Sequence, residues 1–171
     1  MKKISAATTL KEQFRTLCSA IAQGDETLAT SILQRFPSLA EMRNDQAQTP
    51  LHLAVQHQRS VELVRTILQL VPPSLRQTFI NQEQLYPMVD FEESSNAFQQ
   101  AIFLKNQPVA MAILEATTPA HRSILCKHVL PDFTMEQLEK KDAFQLATAI
   151  SGWLTKQDVV EQAGIASSQE L

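Results

Sequence analysis

The sequence predicts an all-helical protein. Apolar residues recur mostly at spacings of three and four, and few segments alternate with a period of two, which favours helices over strands. Glycine is scarce, with three residues in 171, whereas the good helix formers Ala, Leu and Gln occur throughout. The hydrophobic fraction of 44% is that of an ordinary globular protein, so long disordered segments are not expected. Because the sequence has no internal Gly/Ser-rich or Pro-rich linker, we expect one continuous core.

A first pair of helices is predicted over about residues 10–40. Leu17 and Ala20 lie on the apolar face of its first helix, and Gly24 with Asp25 provides a turn before a second helix over 26–35. Because the end units of stacked helix pairs need a polar outer face, we expect this pair to cover the N-terminal end of the core. Its outward-facing residues are Lys11, Glu12, Gln13 and Arg15.

A second pair is predicted over about residues 44–72 and begins with the segment TPLHLAV at 49–55. Thr49 can cap a helix with its hydroxyl, and Pro50 fits the first turn, where a missing N–H costs nothing. Leu51 and Ala54 share one face of this helix, and the small alanine lets a neighbouring helix approach closely. The second helix of the pair follows over 61–68.

The same frame recurs twice downstream. A capping residue, a large apolar residue two positions later and an alanine three beyond it begin at 49, 96 and 142, so the copies lie 47 and 46 residues apart. The motif residues are Thr49, Pro50, Leu51, His52 and Ala54, then Asn96, Phe98 and Ala101, then Asp142, Phe144 and Ala147. Units three and four are therefore predicted over about 90–118 and 134–164, with a turn near Trp153 in the last unit.

Two further helices are expected between these units. The runs 74–80 and 122–130 are compatible with a helix, and each follows shortly after a proline that can begin one. We therefore expect a short extra helix after unit two and another after unit three.

The Thr-Pro-Leu-His run at 49–52 is similar to the opening of an ankyrin repeat, and the chain resembles the ankyrin-repeat family. The resemblance implies a short solenoid of about four helix-pair repeats, forming one domain over 1–165 with a flexible tail at 166–171. It also implies that His52 hydrogen-bonds within and between repeats. Ala47 replaces the glycine usual before the Thr-Pro pair, which puts regular hairpin fingers at 44–48, 90–95 and 139–141 in doubt. A HEAT-like or armadillo-like solenoid, with units of about 40–47 residues, is the alternative.

The predicted function is recognition of a partner protein, because a stack of helix pairs forms a wide rigid surface without a reaction centre. Candidate contact residues lie two or three positions after a motif alanine, or in the acidic segment before unit three. They are Gln56, His57, Phe103, Leu104, Glu92 and Glu93. A helical enzyme or metal-binding protein and a self-assembling structural subunit remain alternatives.

Catalytic, metal-binding and cofactor-binding residues are not expected. The local cluster of His121, Cys126 and His128 has spacings of five and two, which point in different directions on one helix. A zinc site needs a fourth ligand, and the sequence has no Cys-x-x-Cys pair to supply it. The three glycines are isolated and form no phosphate-binding loop.

Charge and hydropathy narrow the partners and the location. The net charge of −3 without a basic stripe argues against nucleic acid, and no stretch reaches the roughly 20 apolar residues of a membrane span. Two distant cysteines indicate reduced thiols in the cytoplasm, and we expect a monomer. The short, Gln-rich chain resembles ankyrin-containing type IV secreted effectors of intracellular bacteria such as Legionella or Coxiella. That resemblance implies virulence through binding a host protein after secretion into the host cytosol.

Overall fold

A computed structural model of the protein describes residues 6–84, 95–127, 129–130 and 134–167. The described chain is helical, which confirms the predicted all-α class. The helices are α1 (Ala6–Gln23), α2 (Glu26–Arg35), a 3-10 helix (Pro37–Glu41), α3 (Pro50–Gln56), α4 (Val61–Leu70), α5 (Pro73–Ile80), α6 (Ala97–Phe103), α7 (Gln107–Glu115), α8 (Pro119–Cys126), α9 (Met135–Glu139) and α10 (Ala143–Ser167). The strands β1 (Glu83–Gln84) and β2 (Ser95–Asn96) form a short antiparallel ladder.

The chain divides into two compact units, Met1–Thr117 and Thr118–Leu171. In the first unit α1 packs with α2, α3 with α4, and α6 with α7. The first helices also contact one another in the order α1, α3, α6, and the second helices do so in the order α2, α4, α7. Three helix pairs therefore lie side by side. The first helices bury the same two positions, a large apolar residue and an alanine three residues later: Leu17 and Ala20, Leu51 and Ala54, and Phe98 and Ala101.

The turn that joins the two helices of each pair is the same in all three. A residue with positive φ ends the first helix: Gly24 at 84°, Gln58 at 51° and Lys105 at 54°. The N–H of the next residue then donates to the carbonyl of the buried alanine, over 2.8–2.9 Å in each turn: Asp25 to Ala20, Arg59 to Ala54 and Asn106 to Ala101. A left-handed residue lets the last turn of a helix satisfy its free carbonyls in this way.

Each second helix begins with a side-chain cap. The side chains of Asp25, Ser60 and Asn106 accept from the backbone N–H three residues later, at 3.0, 3.2 and 3.3 Å. Such caps satisfy one of the free N–H groups at the start of a helix. The cap of α4 is itself held by the preceding pair, because Glu26 accepts from both the N–H (2.8 Å) and the hydroxyl of Ser60.

Helices occur after the first, second and third pairs, each with a proline in its first turn. These are the 3-10 helix Pro37–Glu41, α5 and α8. Helix α5 agrees with the predicted run 74–80. Helix α8 begins at Pro119 and ends at Cys126, so the expected range of 122–130 was too late, because the preset φ of proline starts the helix at once.

The second unit departs from the expected helix pair. Helix α10 runs without a turn from Ala143 to Ser167, past Gly152 and Trp153, and it includes the first two residues of the predicted tail. A single glycine costs a helix only about 1 kcal/mol and cannot end it without a following cap or proline. Phe144 has the motif position of Leu51 and Phe98, but its side chain is 74% exposed, whereas those two are buried. Among the side chains of α10 that the structure describes, the buried ones are Ala143, Leu146, Ala147 and Ile150. These four residues share one face of the helix and leave Phe144 off it.

Within the described ranges, no helix combines the length and apolar character that crossing a membrane requires.

Candidate functional site

Among the side chains of the first unit that the structure describes, the most exposed large apolar one lies at the end of α6. The cap Asn96 sets the start of this helix, and the buried face then comprises Ala97, Phe98, Ala101 and Ile102. Phe103, the last residue of α6, falls off this face and is 76% exposed. Leu104 is half-buried as the C-cap.

Gln56 and His57 occupy the same two places on α3. Gln56 is the exposed last residue of that helix, and His57 is its half-buried C-cap. Because α3 and α6 pack against each other, the four predicted residues lie at corresponding ends of neighbouring helices. Burial, followed by the nearby charge of Arg59, lowers the pKa of His57 and so favours its neutral ring.

Gln56 is held in place by a polar network that the sequence analysis missed. The buried Gln48 donates from its side-chain amide to Gln56 Oε1 at 2.8 Å. Asn44 in turn donates its Nδ2 to Gln48 Oε1, and its Oδ1 accepts from the Gln48 backbone N–H, both at 2.9 Å. Asn44 is a residue typical of turns, so the turn could be predicted from the sequence. The side-chain hydrogen bonds of Gln48 with Asn44 and Gln56 could not be predicted, because no local sequence pattern indicates them.

The segment 44–48 forms a tight turn in place of a regular hairpin finger. The Asn44 N–H donates to the Gln48 carbonyl at 2.9 Å, and the Ala47 N–H donates to the Asn44 carbonyl at 3.0 Å. Ala47 has a φ of 60°, the left-handed conformation for which glycine is usual. Side-chain bonds from Asn44 therefore hold a turn that lacks the favoured residue.

Directly before α6, strand β2 pairs with β1, with Glu83 opposite Asn96 and Gln84 opposite Ser95. Glu92 and Glu93, the two acidic candidates, lie outside the described residues.

His52 is buried at the start of α3 and bonds in two directions. Its Nδ1 accepts from the Thr49 N–H at 3.3 Å and lies 2.8 Å from Thr49 Oγ1, while the His52 N–H donates to that hydroxyl. Its Nε2 lies 3.0 Å from the Gln82 carbonyl oxygen. Burial lowers the pKa of His52 to about 4, although the bond to Gln82 raises it, and Arg43 lowers it further. The ring is therefore neutral at pH 7.

The reciprocal cap at α3 recurs at two other helices. Asn96 and Gln99 exchange the same pair of bonds at the start of α6, at 3.0 and 2.9 Å. Thr134 and Gln137 do so at α9, at 2.9 and 3.3 Å. His52 thus stands where these two helices have glutamine. In both helices a glutamine follows the capping residue by three positions, and this pattern could have predicted both reciprocal caps from the sequence.

His121 and Cys126, two of the residues considered for catalysis, lie on α8, and Cys126 is buried. Burial raises the pKa of the Cys126 thiol to about 12 despite Arg122, and it raises that of Cys18 to about 11. Both thiols are therefore protonated at neutral pH, and the thiolate is the nucleophilic form. His121 is half-buried, and His128 lies outside the described residues. No group of three potential metal ligands occurs in the part of the chain that the structure describes.

No protein-family model, curated protein or solved structure matches the chain.

Proposed function

We propose that the first unit is a short ankyrin-like solenoid that binds a partner protein through the ends of α3 and α6. Three features support the fold: the helix pairs lie side by side, they share one turn, and their first helices bury an alanine at the same position. The seven-residue first helices α3 and α6 each start with a reciprocal cap. Small buried residues at matching positions allow the close contact that stacking requires.

The observation that carries the binding proposal is the exposure of Phe103. An aromatic ring that is 76% exposed leaves apolar surface in water on a rigid helix end. Covering a phenylalanine side chain contributes about 1.5–3 kcal/mol, which is enough to make it an anchor of a protein interface. Gln56, whose Oε1 the buried Gln48 fixes, supplies a polar neighbour held in one position.

The experiment is affinity capture from a eukaryotic cell lysate with three forms of the protein. The test variant is Phe103→Ala, and the matched control is Phe144→Ala, which removes an equally exposed ring (74%) from the second unit. A protein captured by the native chain and by Phe144→Ala, but lost with Phe103→Ala, would support the proposed site. Circular dichroism of each variant checks that it is folded.

The opposite outcomes are also defined. A partner retained by Phe103→Ala would place binding elsewhere, and a loss with both variants would indicate nonspecific adhesion of exposed aromatic rings. Light scattering over a range of concentrations tests self-assembly through the same surface, which would appear as a mass that rises with concentration and falls with Phe103→Ala.

A further inference from the structure

We propose that His52 is an acid-sensitive clasp, which holds the base of the β1–β2 ladder against α3 and releases it when the ring takes up a proton. The inference concerns the fold alone and holds whether or not Phe103 binds a partner. It starts from the position of the ring, which is buried and joins Thr49, at the start of α3, to Gln82, which lies 30 residues after His52 and just before β1.

Both ring nitrogens are used by the neutral form. Because Nδ1 accepts the Thr49 N–H, the proton of the neutral ring is on Nε2 and is donated to the Gln82 carbonyl. A protonated ring is a donor at both nitrogens. It can keep the bond to Gln82, but it leaves the Thr49 N–H without its acceptor and places a positive charge in the core.

Within the part of the chain that the structure describes, the surroundings offer that charge no compensation. Arg43, which precedes the 44–48 turn, is the charged group whose field acts on the ring, and it opposes protonation. Helix α6 carries no ionisable side chain, and α3 carries none besides His52. On the other elements packed against α3, the charged residues are exposed and Cys18 is half-buried. The exposed residues are Lys11, Glu12 and Arg15 on α1, Glu41 on the 3-10 helix, and Glu62 and Arg65 on α4.

The release is local because of where Gln82 lies. The next two residues form β1, and their partners in β2 lead directly into the cap of α6 at Asn96. If the ring leaves its place, the ladder loses the bond that fixes its first strand. The pKa of the ring is lowered by folding, from 6.5 to about 4, so the clasp is complete above pH 6.5 and weakens as the pH falls towards 4.

Amide hydrogen exchange followed by NMR tests the clasp on the full chain. After correction for intrinsic exchange rates, the opening constant at Thr49 and at residues 82–84 should rise about 20-fold between pH 7 and pH 5, since the open ring titrates near 6.5 and the closed one near 4. Amides in α2 serve as the internal reference and should change much less.

His52→Gln is the matched variant, because Gln99 and Gln137 show that glutamine forms the same reciprocal cap without a titratable group. Its ladder amides should open equally at pH 7 and pH 5. Glu83→Gln, which removes the carboxylate next to Gln82 in sequence, should retain the pH dependence of the native chain.

Three results would overturn the proposal. An equal pH response in the native chain and His52→Gln would remove His52 from the effect, and an equal response in α2 would show global unfolding instead of local release. An NMR titration of the ring provides a check that needs no variant. A His52 pKa at or above 6 in the folded protein would show that burial does not oppose the proton.

Discussion

The three turns that join the two helices of each pair in the first unit contain a residue in the same left-handed conformation. This residue is a glycine in one turn and carries a Cβ in the other two. Gly24, Gln58 and Lys105 occupy equivalent places with φ between 51° and 84°, but only the first is a glycine. A residue with a Cβ pays about 1–2 kcal/mol to adopt this left-handed conformation. Gln58→Gly should remove that strain from an exposed position.

The net gain in the free energy of unfolding is smaller than the strain removed. Glycine also gives the unfolded chain more conformational freedom, which lowers the free energy of unfolding by about 0.4–1 kcal/mol. We therefore expect Gln58→Gly to raise the free energy of unfolding by about 0.5–1 kcal/mol. In a chain of this length that corresponds to a rise in Tm of about 1–4 °C. Gly24→Ala should act in the opposite direction. It adds strain, and its Cβ would lie 2.7 Å from Arg59 Nη1, which disturbs the bond from Arg59 to the Ala22 carbonyl.

Urea unfolding followed by far-UV circular dichroism measures these changes as shifts of the midpoint at a constant slope. Ser31→Gly is the matched control, because residue 31 is exposed within α2, and glycine in a helix interior should lower stability by about 0.5 kcal/mol. A midpoint lowered by Gln58→Gly, as it is by Ser31→Gly, would show that Gln58 is not strained in the turn. An unchanged midpoint for Gly24→Ala would contradict the same strain at Gly24.

Two further predictions concern burial. Phe98→Ala should destabilise the protein by about 3–5 kcal/mol because its ring is fully buried in the first unit, whereas Phe144→Ala should change stability by less than about 0.5 kcal/mol; urea midpoints compare the two, and a similar loss in both would contradict the packing described. Cys18 and Cys126, whose thiol pKa values burial raises to about 11 and 12, should resist iodoacetamide at pH 8 in the folded protein and react in 6 M guanidinium. Mass spectrometry counts the added groups, and rapid labelling of Cys126 in the folded chain would be the contrary result.

Local patterns in the sequence predicted helix caps and buried positions of the first unit. The caps Thr49 and Asn96 and the buried alanines Ala54 and Ala101 could be located because each signal depends on residues within one helical turn. The exposure of Phe103 was left open in the sequence, because it depends on which side chains pack against the end of α6. Three-dimensional packing settles that question, and spacing does not.

The sequence was least informative where the same local signals had a different outcome. Asp142 accepts from the Gln145 N–H at 2.7 Å, as a cap should, yet the helix after it continues to Ser167. A cap fixes the start of a helix but does not determine its length or its buried face, so Phe144 is exposed although Phe98, at the same position after its cap, is buried. The bond between His52 and Gln82 joins residues 30 positions apart, and no local pattern could identify that partner.

The bonds between Glu26 and Ser60 make the start of α4 depend on the first helix pair. The carboxylate of Glu26 belongs to the first helix pair, but it positions the hydroxyl that starts α4 in the second. A ribosome releases the first pair before residue 60 emerges, so the earlier pair is available as a template when the next one forms. If the helices form in the order in which they are synthesised, Glu26 is already in place to position the Ser60 cap when α4 forms.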